Sequence, residues 1–417
     1  MSNREIVRVE SNTLKLGVVD SAIGSVRSQS EVQTAVRVME SGRIGLASAV
    51  GQADIDTLTL AAREALVFDV AYPVQPEGGR ALTCAHEGDR RSVSELVEIT
   101  EHVLDRLRSE FPQYVFSYGV EQQHLAWHIE SDAGLDLHYK RDNTQIAFLV
   151  KEKGSGNIFD SFVGVEGGVV DVEASLSEFR SHLNALSKPI DGRTGRQQVI
   201  FPGLSGMAGS GLLQLIRSDL VARVYAQGAS VFDGRLGNEQ PMFSSSLSLR
   251  ERRDPDAGRV CPFDMEGVVR NSLDLDIVRE GRLQSIAANK RDAARFGLPS
   301  TGTAIGDAAQ LPASGFGQIV SEPTALELKD LVDPNGAILV WLVAGGNSTR
   351  TGDVALPTHV MLSVDASGRV DGRVPGGTLT GNIFDIFGPD YVGTTTQRID
   401  PFSEEGFFVT HMNLQGS

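Results

Sequence analysis

Four glycine-bearing dipeptides, Ser41-Gly42, Ala133-Gly134, Glu280-Gly281 and Ser367-Gly368, sit where runs of alternating or β-rich residues stop and restart. A two-residue connection containing glycine supplies the positive φ that lets a strand fold back on its neighbour, so each dipeptide predicts a hairpin. Val36 and Val38 lead into the first turn and Ile44 and Leu46 leave it. Leu275 and Ile277 precede the third, and Val360, Leu362 and Val364 precede the fourth. The sheets are therefore expected to be antiparallel meanders. The 45 glycines in 417 residues fit such a turn-rich chain, since the usual share is only about 7%.

Helical periodicity is concentrated in the first half. Ser92 and Glu95 have capping-box spacing, and Leu96, Ile99, Val103 and Leu107 then recur at steps of three and four, predicting a helix of about 18 residues. Leu176, Phe179, Leu183 and Leu186 make a second stripe, which stops at Lys188 because Pro189 disfavours helical geometry in the residue before it. A third, less regular helix spans Asp54 to Leu66. The segment Ser187 to Gln197 has a linker's composition, and it divides an N-terminal α+β domain, 1–190, from a C-terminal β-rich domain, 198–417. Past it, strand-like Gln198 to Phe201 runs into the glycine-rich stretch from Gly203 to Gly211. One helix is expected from there to about Ala226, with Leu212, Leu213, Ile216, Leu220 and Val224 on its apolar face. Short helices are expected at Asn289 to Phe296, closed by Gly297, and at Thr324 to Val332, opened by Pro323. The fold class expected is α+β: antiparallel sheets with long helices, then an antiparallel, barrel-like β domain.

Charge narrows the partners. Thirty-eight Lys and Arg face 54 Asp and Glu, a net charge of −16, and a field of that sign repels phosphate backbones and anionic membranes. The richest basic cluster, Arg250, Arg252 and Arg253, is broken by Glu251 and followed by Asp254 and Asp256, and reads as a solvated loop. No nucleic-acid or membrane partner is expected. The only cysteines, Cys84 and Cys261, build neither a disulfide framework nor a zinc knuckle. The first residues mix charges and lack the apolar core of a secretory signal. The longest apolar run, Ala337 to Ala344, has 8 residues, whereas a membrane-spanning helix needs about 20. A cytoplasmic location is expected.

Several residues invite a chemical reading. The strand, glycine loop and helix at 198–226 resemble a phosphate cradle, but a P-loop needs Lys and Ser or Thr after its last glycine, and Leu212 and Leu213 stand there. His124 and His128 share one face of a predicted strand, yet at ~13 Å apart they cannot ligate one zinc ion. His86, beside Cys84 and Glu87, reads as a solvated turn group. Asp264 and Glu266, with Asp274 and Asp276 ten residues on, are an acidic group whose acid–base use requires burial or convergence. No G-x-S-x-G elbow is present.

Taken in order, several segments resemble one family, the TldD/PmbA (TldD/TldE) proteins. QTAVRVMESGRIGLASA at 33–49 resembles its N-terminal hairpin signature. FDMEGVVRNSLDLDIVREGRLQSIAANKRDAARFGLPSTGTA at 263–304 resembles its most specific stretch, and GGTLTGNIFDIFGPDYVG at 376–393 resembles its C-terminal glycine turn and Val-Gly end. The resemblance covers roughly residues 14 to 416, with the family's first and second segments at about 14–75 and 92–190. It implies a cytoplasmic, heterodimeric zinc metallopeptidase that trims peptides. The family's zinc-bearing subunit, TldD, carries H-E-x-x-x-H on the helix after the glycine-rich loop and a cysteine near its C-terminus. Two histidines and a thiolate would hold zinc with a position open for water, and the glutamate would take that water's proton.

Counted back from Gly-Ala-Ser-Val-Phe at 228–232, those motif positions fall on Leu213, Gln214 and Ser218. The stretch 211–227 holds no histidine, cysteine or glutamate, and His411 stands near the place of the missing C-terminal cysteine. The resemblance is thus to the TldE/PmbA branch: a subunit with no cofactor of its own that pairs with a TldD-like, zinc-bearing subunit and shapes the cleft for a peptide substrate. Two other readings stay open. One is an independent enzyme using Asp264, Glu266 and His411 as acid–base groups, and the other is a homodimeric peptide-binding module. The family's association with DNA gyrase gains no support from the charge balance.

Overall fold

The structure is a computed structural model that describes residues 3–203, 209–398 and 406–416. Its N-terminal sheet is built from β1 (Asn3–Val19), β2 (Ala22–Glu40), β3 (Arg43–Val50), β4 (Ala81–His86), β5 (Tyr114–Ser131), β6 (Asp136–Glu152) and β7 (Ser161–Gly167). The order is β3-β2-β1-β5-β6, with β4 and β7 both pairing to different stretches of β6. The hairpins expected at Ser41-Gly42 and Ala133-Gly134 join β2 to β3 and β5 to β6. Ser41 and Gly42 have φ of 52° and 77°, and Gly134 has φ of 86°. A third hairpin, at Asp20 and Ser21, has positive φ without any glycine. The Ser21 hydroxyl steadies it by accepting from the Phe116 N–H at 2.9 Å.

Three helices accompany this sheet: α1 (Ile55–Glu64), α2 (Val93–Glu110) and α3 (Val172–Leu186). The α2 capping box is formed, with Ser92 N–H donating to Glu95 and Glu95 N–H to Ser92 Oγ. Leu96, Val103, Leu104 and Leu107 of α2 and Leu176, Phe179 and Leu183 of α3 join Leu16, Phe116 and Phe148 of the sheet in one apolar cluster. The α1 helix lies so close over β3 that a Cβ at Gly45 would strike the Ala62 carbonyl.

Past the connecting segment, β8 (Gly195–Phe201) pairs with Phe408–Gly416, that strand with Gly377–Asn382, that with Asp353–Val364, and that with Ala337–Val343, which returns to β8. These five strands close a barrel. The closing pair is parallel, with Ile338 opposite Val199, and β4 also runs parallel to β6. At these two places the expectation of wholly antiparallel sheets is corrected: each strand reaches its partner by a long excursion through helices, which a parallel pairing requires. The barrel strands are buried on both faces. Val199, Phe201, Ile338, Val340, Met361 and Phe408 face one core, while the alternating Ile200, Leu339, Leu362 and Val409 join the cluster beneath α2 and α3. That double burial explains the uninterrupted apolar run at 337–343.

Two helical expectations are corrected. The helix expected from Gly211 to Ala226 is two pieces, α4 (Gly209–Arg217) and α5 (Ala222–Ala226). The break forms because Asp219 turns away to accept the Val231 N–H at 3.1 Å, and Val221, extended, bridges to Ala287. At 324–332 a single 3-10 turn, Leu328–Asp330, replaces the helix. There the N–H groups of Thr324 and Ala325 are drawn sideways to the Thr394 carbonyl. The other short helix, α6 (Lys290–Phe296), stands as expected, capped by Asn289 and closed by Gly297 at φ 67°. Residues 204–208 of the glycine-rich stretch lie outside the described residues. No helix among the described residues is long and apolar enough to cross a membrane.

Candidate functional site

A cavity of about 1150 Å³ opens between the N-terminal sheet and the segments flanking the barrel. Strand alternation aims Leu125 and Trp127 of β5 and Tyr139, Arg141 and Asn143 of β6 into it, while α3 contributes Ser175 and Glu178 and α4 contributes Leu213, Gln214 and Arg217. Trp127 and Tyr139 meet edge to face at 6.4 Å, forming an aromatic wall.

The rim is strongly basic for an acidic protein. Six arginines line the cleft (Arg141, Arg217, Arg252, Arg253, Arg259 and Arg398) against four carboxylates, Glu166, Asp171, Glu178 and Asp264. Arg253 is buried, donating to the Phe263 carbonyl at 2.6 Å and to Glu251 at 3.0 Å. Glu251, fully buried, also receives Arg270 at 2.5 Å and the Gly317 N–H at 2.7 Å. The reading of 250–253 as a solvated loop is therefore corrected. Leu249–Arg252 is a strand whose alternation sends Glu251 inward, and Arg253 follows it into the interior. Arg217 is held by the Phe316 and Gly317 carbonyls. Arg259 reaches the carbonyls of His86, Glu87 and Asp142, occupying space that a side chain at Gly168 would fill.

Asp264 and Glu266 come together but serve different neighbours. Asp264 Oδ1 accepts the N–H groups of Glu266 and Val268 at 2.8 and 2.9 Å, and Oδ2 accepts that of Ala304 at 3.0 Å, so this carboxylate staples the 264–268 turn to the strand at Ala304. Burial raises its pKa. Glu266 accepts the Tyr72 hydroxyl at 2.7 Å and the Lys290 N–H at 2.8 Å; burial, reinforced by the Asp264 charge, pushes it up to about 7. His411 lies elsewhere, on the strand Phe408–Gly416 opposite Gln198, with Nε2 3.4 Å from Asp333. Asp274 and Asp276 hold backbone and Arg250 rather than facing the other pair.

The positions onto which the resemblance placed a zinc motif, Leu213, Gln214 and Ser218, offer poor ligands. Leu213 is 4% exposed in the apolar core, whereas Gln214 and Ser218 are exposed, with Ser218 just beyond the end of α4. Cys261 lines the cleft, where burial pushes its thiol up to about 12. Leu213, Gln214 and Ser218 do not fit a zinc ion.

His124 hydrogen-bonds Asp142 and Arg90. His128 stacks on His138 at 4.0 Å, and both rings reach Asp136, at 2.9 and 3.0 Å. Among the described residues this is the group of three metal-type donors that converges. It lies on the sheet face opposite Trp127, and His138 is the partner that spacing along one strand did not show. His86 Nε2 is 3.9 Å from Cys84 and 3.3 Å from the Val260 carbonyl.

Residues 194–404, about half of the chain, match the family described as PmbA/TldA metallopeptidase C-terminal domain. The chain belongs to the PmbA/TldD family. Solved structures similar to this PmbA/TldD family member cover both halves. TldE from Thermococcus kodakarensis is 17% identical with a TM-score of 0.84, covering 100% of this chain and 97% of its own. A proposed modulator of a DNA gyrase from Thermotoga maritima is 14% identical with a TM-score of 0.78, covering 99% and 96%. At these identities the likeness is one of fold. A comparison with curated proteins finds no match.

Proposed function

We propose that the chain is the metal-free, TldE-like subunit of a heterodimeric PmbA/TldD-type peptidase, pairing with a TldD-like subunit that carries the zinc. The observation that carries this reading is Leu213. At the position aligned with the family's first histidine stands an aliphatic side chain, buried against Leu212 and Ile216 in the core. It has no lone pair to donate, and its neighbour Gln214 has no carboxylate to serve as base. Zinc held by the partner would supply the hydrolytic water.

This chain's own residues then shape the cleft. Gln214, exposed on the wall, offers amide donors and an acceptor to a peptide backbone, and the Trp127 and Tyr139 pair excludes water from one side. The alternative acid–base use of Asp264 and Glu266 is less favoured, because backbone N–H groups and Tyr72 already occupy their oxygens.

Co-purification from the native host followed by reconstitution tests the proposal. A stoichiometric TldD-like companion, with peptide cleavage only when both chains are present and zinc bound by the companion, is expected. Stoichiometric zinc and peptidase activity in this chain alone would overturn it.

A further inference from the structure

We propose that the arginine-rimmed cleft is a carboxylate-selective subsite, taking peptides that bear Asp or Glu side chains or a free C-terminal carboxylate. The inference rests on the reading of the cleft as a peptide site and goes beyond it by naming what the peptide must carry.

The first support is the contrast in charge. A chain of net charge −16 places six arginines around one cavity and only four carboxylates. Those carboxylates are largely engaged elsewhere. Asp264 holds three backbone N–H groups, Asp171 caps α3 through the Ala174 N–H at 3.0 Å, and Glu166 accepts Asn143 Nδ2 at 2.9 Å.

The second support is the state of the arginines. Among the described residues no carboxylate lies within ion-pair distance of Arg141, Arg217 or Arg252. Arg217 and Arg252 donate to carbonyls, those of Gly317 at 3.2 Å and Ala257 at 3.3 Å, which orient the guanidinium without neutralising it. Arg253 is immobilised by Glu251 and Phe263, so the rim is organised before any ligand arrives. A planar guanidinium offers paired N–H donors that match the two oxygens of a carboxylate. Low-dielectric walls such as Trp127 and Phe263 concentrate the field inside the cleft.

Size and overall charge select the ligand. About 1150 Å³ exceeds the usual small-molecule pocket, about 300–1,000 Å³, and suits a stretch of extended chain. A long polyanion would meet the repulsive field of the whole surface, whereas a short peptide with a few carboxylates meets mainly the cleft.

Calorimetric titration of the full chain with four hexapeptides tests this: a Glu/Gly peptide and its Gln/Gly counterpart, each with a free or an amidated C-terminus. The Glu peptide with a free end is expected to bind about tenfold or more tightly than the amidated Gln peptide, with a preference that shrinks as salt rises. Tight binding of the amidated Glu peptide assigns the effect to side chains, and tight binding of the free Gln peptide assigns it to the C-terminus. Either supports the subsite. The Arg141→Gln/Arg252→Gln variant should lose most of the preference at an unchanged melting temperature, and the Lys/Lys counterpart should keep it.

Equal affinity for all four peptides, no binding of any, or an undiminished preference in the folded Gln/Gln variant would overturn the inference. Partner-dependent cleavage is read separately. Carboxylate preference without activation of a TldD-like subunit removes only the subunit reading, and activation without the preference removes only the subsite.

Discussion

Arg37 and Glu5 face each other across β2 and β1 in an ion pair 2.6 Å long, with side chains only 1% and 2% exposed. The same Arg37 nitrogen donates to the Met265 carbonyl at 2.6 Å, tying the N-terminal sheet to the turn that carries Asp264 and Glu266. Removing one member of a buried pair strands the other charge in the interior. Arg37→Ala is expected to lower unfolding free energy by about 3–5 kcal/mol. Arg37→Met combined with Glu5→Leu should recover much of that loss, as measured by urea denaturation. A single variant as stable as the parent would contradict this account.

Gly267 is the hinge of the same turn. Its φ is 70°, and a Cβ there would come within 2.5 Å of Leu135 Cδ2. Gly267→Ala therefore combines backbone strain with a clash, and a loss of about 1–3 kcal/mol is expected. Adding Leu135→Ala relieves the clash but leaves the strain and opens a gap, so the double variant should remain less stable than the parent in thermal unfolding.

Stability should respond to pH through buried groups of opposite sign: the carboxyls of Glu266 and Asp264, whose pKa values burial raises, and His182, whose pKa burial lowers. Glu266, pushed up to about 7, binds its proton more readily folded than unfolded, so its contribution is full below about 4.5 and is lost as pH rises through 7. His182, which burial lowers to about 3 beside the Ser161 hydroxyl at 2.7 Å, contributes stability above about 6.5 that is lost as pH falls toward 3. Acidifying from pH 8 to 6.5 should thus raise the melting temperature, with the rise flattening below. Glu266→Gln should shrink the rise, leaving only the share that Asp264 contributes, and retain the fall at lower pH. A melting curve with the same pH dependence in both proteins would contradict the assignment.

Tyr72 offers an independent reading of the same carboxyl. Its hydroxyl donates to Glu266 at 2.7 Å, a bond that favours the ionised form. Tyr72→Phe is expected to destabilise by about 1–3 kcal/mol at pH 8 and by less at pH 5, where Glu266 is protonated. Chemical denaturation at the two pH values checks the difference.

Local chemistry in the chain was enough to place much of the architecture. Ser41-Gly42, Glu280-Gly281 and the Ser92 capping box act over a few residues, and each appears in the structure with the geometry its residue types demand. The Asp20-Ser21 hairpin is not legible in the sequence, because no glycine marks it. The break between α4 and α5 is not legible either, because it depends on Val231 and Ala287, which are distant in sequence.

That residues 211–227 hold no histidine, cysteine or glutamate is likewise a property of the sequence, since no fold can make an aliphatic group such as Leu213 a ligand. Which charges converge was decided by the tertiary structure alone. Arg141 from β6, Arg217 from α4 and Arg252 from a separate strand meet at one cleft, while Asp264 and Glu266, two residues apart in sequence, turn to different partners. Turns and caps are satisfied within a few residues of chain, but burial and charge pairing depend on surfaces that come together only on folding.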